Sequence, residues 1–528
     1  MHWADVVAEQ LAEQADSHIV ATGITPSGPI HVGNMREVLT ADLIVRACED
    51  RGLDAELVYI ADSADPLRKV YPFLDPDVYS THVGKPLATI PAPDGEGTYA
   101  DHFLDPFFSC LDELGIEHRV IDAYQSYADG EYEASVRTAC EQRDEIRGLL
   151  QRISGRELDA DWFPFNPMDD HGRMHGVRVT GYDWPHVEWR NEDGETGRTD
   201  ISKGGGKLPW RLDWPARWSW IGVTCEPFGK DHSSAGSSWD TAQPLASLFG
   251  VEPPLGLPYE WINLKGQGAM SSSAGNAMSG SELLELVPPE IMRFLISRAK
   301  PAKHIDFDPG AGLISLADEY ERLERRYHAE LRGIEQKPVG EGERRERQRM
   351  DDARRFELSQ VGRGEVSEED ALEMSFSHLS MLCQVKANRQ GVFDSLARTH
   401  AVDASAPDVR LLERERRMRS WIASDWFPRE VRIRLQADVD PDWLTGLEQS
   451  ERDFLSGFAA GLRTAEWDES AIQEHISASI EAAGMTPRTA FPLLYALLLG
   501  RPRGPRLAPL IREHDRDAVL SLMSAIGD

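Results

Sequence analysis

The stretch Ser17-His-Ile-Val-Ala-Thr-Gly-Ile-Thr-Pro-Ser-Gly-Pro-Ile-His-Val-Gly-Asn-Met35 constrains the fold more than any other part of the chain. Ile19 to Ala21 is an apolar run of the kind a buried strand needs. A Gly/Pro/Ser loop follows, and from about His31 to Asp50 the residues Val38, Leu39, Leu43, Ile44 and Ala47 recur at helical spacing. Glu56-Leu-Val-Tyr-Ile-Ala61 reads as the next strand. Strand, loop, helix and strand in this order make a βαβ unit, which commits the first part of the chain to a parallel α/β sheet.

Further along, the texture changes twice. From about Pro86 to Lys207 the chain opens with Pro91-Ala-Pro-Asp-Gly-Glu-Gly97 and closes with Lys203-Gly-Gly-Gly-Lys207. Between them the spacing predicts one long amphipathic helix (about Tyr132 to Ile153), then short strands with turns at Thr180-Gly and Asp193-Gly. This reads as an insertion into the sheet domain. The sheet is expected to resume with Trp218-Ser-Trp-Ile-Gly-Val-Thr224 and, after a loop and a helix, with Tyr259-Glu-Trp-Ile-Asn-Leu264. Beyond Ser281 nearly every segment has helical periodicity, so a second, all-α half is expected.

Composition narrows the setting. The 57 Lys and Arg face 89 Asp and Glu, for a net charge of -32, while the 41% hydrophobic content is that of a globular protein. Only ten of the basic residues are lysine, and none lies beyond Lys386. Adaptation to molar salt explains this bias, with a GC-rich genome and an ordinary acidic enzyme as the alternative. There is no run of 18 apolar residues, and the start Met1-His-Trp-Ala-Asp lacks a signal-peptide pattern, so a cytoplasmic protein with no membrane contact is expected. The five cysteines form no C-x-x-C pair, which argues against a disulfide scaffold.

Pro26-Ser-Gly-Pro-Ile-His-Val-Gly-Asn34 lies where strand hands over to helix, and backbone N–H groups and the helix dipole favour phosphate there. An ordinary βα turn would look much the same, but the segment resembles the "HIGH" signature of class I aminoacyl-tRNA synthetases, with His31-Val-Gly-Asn34 in its slots. Ala269-Met-Ser-Ser-Ser-Ala-Gly-Asn276 resembles the "KMSKS" loop of the same class, whose hydroxyls and backbone N–H groups act on the triphosphate in the transition state. It departs from that pattern at Ala269 and Ala274, where the related loop carries lysines. Lys265 or Lys230 are candidates to replace the lost charge.

Ala61-Asp-Ser-Ala-Asp-Pro-Leu-Arg-Lys-Val70, Lys207-Leu-Pro-Trp-Arg-Leu-Asp-Trp-Pro-Ala-Arg-Trp218, Val223-Thr-Cys-Glu-Pro-Phe-Gly-Lys-Asp-His232 and Lys300-Pro-Ala-Lys-His-Ile-Asp-Phe-Asp-Pro309 are similar to the archaeal-type class I lysyl-tRNA synthetases. The resemblance implies activation of L-lysine by Mg²⁺-ATP and transfer to tRNA(Lys), with no stable protein partner. It implies ATP contacts at Pro26, Ser27, Gly28, His31, Gly33, Asn34, Ala269, Met270, Ser271, Ser272 and Ser273. His31, Asn34, Met270, Ser271, Ser272, Ser273 and Lys265 are the candidates for the chemistry. Gly23, Thr25 and His232 match positions near the amino acid. An ammonium-bearing substrate needs a carboxylate and an aromatic wall, for which Glu226 and Asp231, with Trp210 and Tyr259, are candidates. Asp62, Asp65 and Arg68 are equally readable as a structural ion-pair network.

The same resemblance implies a Rossmann-like catalytic domain in two halves (1–85 and 208–285), an inserted connective domain that meets the acceptor stem (86–207), a stem-contact connection (286–325) and a helical anticodon-binding domain (326–528). Arg414–Arg419 and Arg501–Arg506 are candidates for RNA contact or simply solvated helix faces. Relatives often carry zinc knuckles in the insertion, but the corresponding turns here are Met168-Asp-Asp-His-Gly172 and Arg190-Asn-Glu-Asp-Gly194. Without thiolates no structural zinc is expected, and no metal site is assigned. Two rivals remain open on sequence: a tRNA-binding paralogue whose catalysis has decayed, and a class I synthetase for glutamate or cysteine.

Overall fold

A computed structural model describes residues 1–266, 268–270, 278–334, 343–364, 374–400 and 402–526. It divides into two compact units. The first comprises Met1–Leu284, Pro289–Phe307 and Arg326–Val366; the second comprises Glu285–Pro288, Asp308–Arg325 and Ser367–Asp528. Residues 326–366, expected to open the helical domain, therefore count with the first unit.

At the centre of the first unit lie β1 (Ser17–Ile24), α2 (Val32–Glu49) and β2 (Asp54–Ala61), with α1 (Trp3–Ala12) ahead of them. β1 pairs with β2 in parallel from Ser17↔Asp54 to Ile24↔Ala61, and β2 with β3 (Arg119–Asp122). Two strands of two residues and three of five or six also fall in the segment expected as an insertion: β4 (Asn166–Pro167), β5 (Arg178–Asp183), β6 (His186–Arg190), β7 (Thr196–Asp200) and β8 (Gly206–Lys207). The main sheet then gains β9 (Cys225–Gly229) and β10 (Leu255–Tyr259), giving the order β10-β9-β1-β2-β3, all parallel. The chain thus leaves β1 toward one edge and later returns to its other side at β9. Loops leaving the carboxyl ends of β1 and β9 diverge at this switch point, which is where open α/β sheets bind ligands. A small sheet of β11 (Ile262–Leu264), β12 (Gly268–Ala269) and β13 (Ile305–Phe307) completes the unit.

Three local expectations are corrected. The long helix expected over about 132–153 is two, Glu133–Glu141 and Arg143–Ser154, because the backbone leaves the helical conformation at Gln142 (φ -105°, ψ 20°). Thr180-Gly181 is a register irregularity within β5 rather than a turn, and the turn falls beyond Asp183. The Trp218–Thr224 segment does not form a strand. Trp210–Ile221 is a helix in which Trp210 stacks on Trp214 at 5.3 Å, Trp218 meets Trp214 edge-to-face at 5.6 Å, and Asp213 pairs with Arg217 one turn on. Packing at i, i+4 outweighs the β-propensity of tryptophan. Gly222 ends the helix at φ 80°, and the strand begins at Cys225.

After Phe376 every element among the second unit's described residues is a helix. Its core holds Trp421, whose indole N–H donates to Pro309 O at 2.7 Å, and the buried Glu415, which accepts from Arg389 at 2.8 Å and from Arg419. Within Arg414–Arg419, Arg414 and Arg417 are also buried and Arg416 meets Glu285 at 2.6 Å, so this cluster serves its own helices.

Candidate active site

The loop after β1 turns into α2 at His31, the helix N-cap. Asn34 Oδ1 accepts from His31 N at 3.2 Å, closing the first turn. The far end of the serine-rich loop is stitched to the same place, since Val32 N donates to Met278 O at 3.0 Å and His31 forms a bridge with Ser279. Met270 and Met278, the described residues on either side of the serine-rich segment, therefore both lie at the N-terminus of α2. Gly33 is required there because a Cβ on it would stand 2.8 Å from the His31 ring. Burial holds the His31 imidazole below its usual range, so it is neutral near pH 7.

Two cavities share His31, Asn34 and Met270 as a common wall. The first, about 270 Å³, adds Thr25, Ser27 and Gly28, with Tyr71 and Phe73 among the rest of its lining. Polar backbone, small side chains and a helix N-terminus suit it to phosphate. Tyr71 and Phe73 stack with centroids 5.5 Å apart.

The second cavity, about 310 Å³, adds Gly33, Glu37, Asp231, His232, Tyr259 and Trp261. At its base Glu37 accepts from Gly23 N at 2.9 Å and from Tyr259 OH at 2.7 Å. Burial raises the Glu37 carboxyl to about 8, and the nearby Glu226 and Asp62 carboxylates push the same way. Sequence reading passed over Glu37. The signal was its place one turn beyond Asn34, an acidic residue at i+3 from the signature asparagine. Arg36 beside it is buried and donates to the carbonyls of Trp261, Lys300, Pro301 and Lys303 at 2.7–3.4 Å, holding that loop to α2.

The other expected residues are distributed as follows. Asp231 and His232 line the second cavity, with the His232 ring 5.8 Å from Trp210 and 5.4 Å from Trp214. Glu226 lines neither cavity: it is buried, and its two oxygens accept from Trp214 Nε1 at 2.8 Å and Trp218 Nε1 at 2.5 Å. Trp210 stacks on Trp214 and lines neither cavity, standing behind His232, and Pro26 lies within the loop without lining either. Lys265 is exposed in the turn after β11, and its backbone N–H donates to Phe307 O at 2.9 Å. Lys230 is held by Glu260 at 2.5 Å and sits 4.8 Å over the Trp261 ring. Ala269 pairs with Asn263 across the β11–β12 hairpin. Ser271, Ser272, Ser273 and Ala274 lie outside the described residues.

Beneath the first cavity is a buried charge network. Arg217 donates to Asp62 at 2.7 Å and pairs with Asp213, Tyr127 OH donates to Asp213 at 2.6 Å, and Lys207 Nζ donates to Asp65 at 2.5 Å. Asp62 and Asp65 thus join a structural network, with Lys207 and Arg217 as its direct cation partners.

A family profile described as tRNA synthetases class I (K) matches residues 1–361. The chain belongs to that family. Its curated relatives include the lysine–tRNA ligase of Thermoplasma volcanium, 37% identical over 100% of this chain and 99% of the relative. The lysine–tRNA ligase of Archaeoglobus fulgidus is 40% identical over 97% of each chain, and that of Methanosarcina barkeri 52% identical over 62% of each. The profile spans both signature segments and stops close to Val366, the end of the first compact unit.

The insertion of this class I synthetase secures its two knuckle-like turns without sulfur. Buried Asp169 accepts from His171 N at 3.0 Å, Arg173 N at 2.8 Å, Arg173 Nε at 3.0 Å and Asn191 Nδ2 at 3.2 Å. Arg173 reaches on to Asp193 at 2.9 Å, so one ion-paired carboxylate ties both turns together. Among the described residues no group of three or more His, Cys, Asp and Glu is placed to hold a metal ion.

Proposed function

We propose that this synthetase activates L-lysine with ATP and transfers it to tRNA(Lys). The observation that carries the amino-acid assignment is the Glu37 carboxylate, half-enclosed at the base of the second cavity and held by Tyr259 and Gly23. A buried acid whose proton affinity is raised by burial and by neighbouring carboxylates is a site for a cation. A glutamate side chain would meet the wrong sign there. Glu37 then supplies the role first sought in Glu226, with Tyr259 as wall and Asp231 and His232 at the rim.

In the reaction the lysine α-carboxylate attacks the α-phosphorus of ATP, and pyrophosphate leaves. Ser27, Gly28, His31, Gly33 and Asn34 receive the phosphates at the N-terminus of α2, with Met270 and the hydroxyls of Ser271–Ser273 as their further partners. A neutral His31 donates a hydrogen bond without titrating. Catalysis by this arrangement is placement and charge stabilisation, with no nucleophilic side chain. Lys265 or Lys230 stands in for the lysines absent at 269 and 274. Mg²⁺ arrives on the ATP, and the chain's described residues supply no cluster for it. The inserted segment meets the acceptor stem and the helical unit reads the anticodon, in cytoplasm rich in salt.

ATP–pyrophosphate exchange in molar KCl with each standard amino acid tests the reading. Exchange should depend on lysine alone. Dependence on glutamate or cysteine overturns the substrate, and no exchange with any amino acid while tRNA(Lys) still binds identifies a decayed paralogue.

A further inference from the structure

Thr25 lines the first cavity, and its hydroxyl points in a fixed sense. Its Oγ1 donates to Asp65 Oδ2 at 2.7 Å, while Asp65 Oδ1 accepts from Lys207 Nζ at 2.5 Å. Lys207 is buried, stands on β8 at the end of the inserted segment, and has Asp213 3.9 Å away as its second carboxylate. Burial opposes charge on Asp65, but the Lys207 ammonium and the Thr25 hydroxyl hold its carboxyl below the usual range. An ionised carboxylate can only accept. Thr25 therefore commits its single O–H to Asp65 and offers only lone pairs to the cavity. A neutral Asp65 could donate instead and let the hydroxyl turn round.

Two residues back, near the end of β1, Gly23 N–H donates to Glu37. Two residues of extended chain span about 6.6 Å, close to the reach of an extended lysine from its α- to its ε-nitrogen. We propose that Lys207 is a positioning residue for the amino acid: through Asp65 it fixes Thr25 as the acceptor for the substrate α-ammonium, while Glu37 takes the ε-ammonium. The inserted segment then takes part in amino-acid binding before any tRNA is present. This rests on the lysine reading above and deepens it.

The test uses the full-length enzyme in pyrophosphate exchange, with 6-aminohexanoate, which is lysine without its α-amino group, as a competitive inhibitor. Lys207→Met should raise KM for lysine about tenfold or more, the weight of one charge-supported hydrogen bond. KM for ATP and the inhibition constant of 6-aminohexanoate should stay within about twofold of wild type, and Lys207→Arg should restore most of the lysine affinity. Should Lys207→Met fail to fold, Asp65→Asn, which removes the charge and keeps the shape, carries the same comparison. An unchanged KM for lysine, or a loss of 6-aminohexanoate binding parallel to that of lysine, overturns the proposal. If the wild-type enzyme activates a different amino acid, the substrate reading fails on its own, and the pair of that amino acid and its des-amino analogue decides the role of Lys207.

Discussion

A carboxylate standing where Glu37 stands is costly to ionise until a cation arrives. With its carboxyl raised to about 8, the free enzyme holds Glu37 largely protonated at neutral pH, and lysine must bind to the ionised form. The proton is lost on binding, so KM for lysine should fall as pH rises from about 6 to 8, by up to about tenfold per pH unit, and level off above. Lysine keeps its ε-charge until about pH 10 and does not confound this range. Glu37→Gln should raise KM about 100-fold and flatten the profile, since it removes one partner of an enclosed charge pair. A Glu37→Gln enzyme with the wild-type pH profile would reassign the ammonium to another carboxylate. At this scale Glu226 is instructive. It was legible as a candidate carboxylate for the substrate ammonium in a conspicuous motif, but sequence cannot tell an acid facing a ligand from one capped by two indoles.

The element that matters most is α2. Its first turn borders both cavities, its second presents Glu37, and Arg36 on its flank fixes the loop 300–303. Gly33 is the tight point, because a Cβ there meets the His31 ring at 2.8 Å. Gly33→Ala should leave the thermal midpoint nearly unchanged, alanine being an excellent helix residue. It should slow exchange about 10- to 100-fold by displacing His31. Melting curves beside exchange rates separate the two effects, and normal exchange would remove His31 from the mechanism. The strand, loop and helix that begin the fold were readable because apolar period and Gly/Pro punctuation are local. The Trp210–Ile221 helix was not, because aromatic residues suit either state and only packing at i, i+4 decides.

For the whole molecule, the net charge of -32 and the shortage of lysine describe a surface. If that surface is adapted to molar salt, the thermal midpoint should keep rising between about 0.5 M and 3 M KCl, beyond the range where Debye screening of ordinary charge repulsion is complete. A midpoint that reaches its plateau below about 0.5 M KCl would return the composition to an ordinary acidic enzyme. The insertion fits the same pattern, since Asp169, Arg173, Asn191 and Asp193 tie its turns together in place of thiolates.

The sequence by itself determined the parallel α/β start, the helical second half, both signature segments and the family, because each is carried by contiguous residues whose chemistry does not depend on distant partners. Only the tertiary structure decided which acid lines the second cavity, why Glu226 does not, and how Lys207 reaches Thr25 through Asp65. Those answers depend on contacts between residues far apart in the chain, and burial, which no local pattern encodes, sets the charge each one carries.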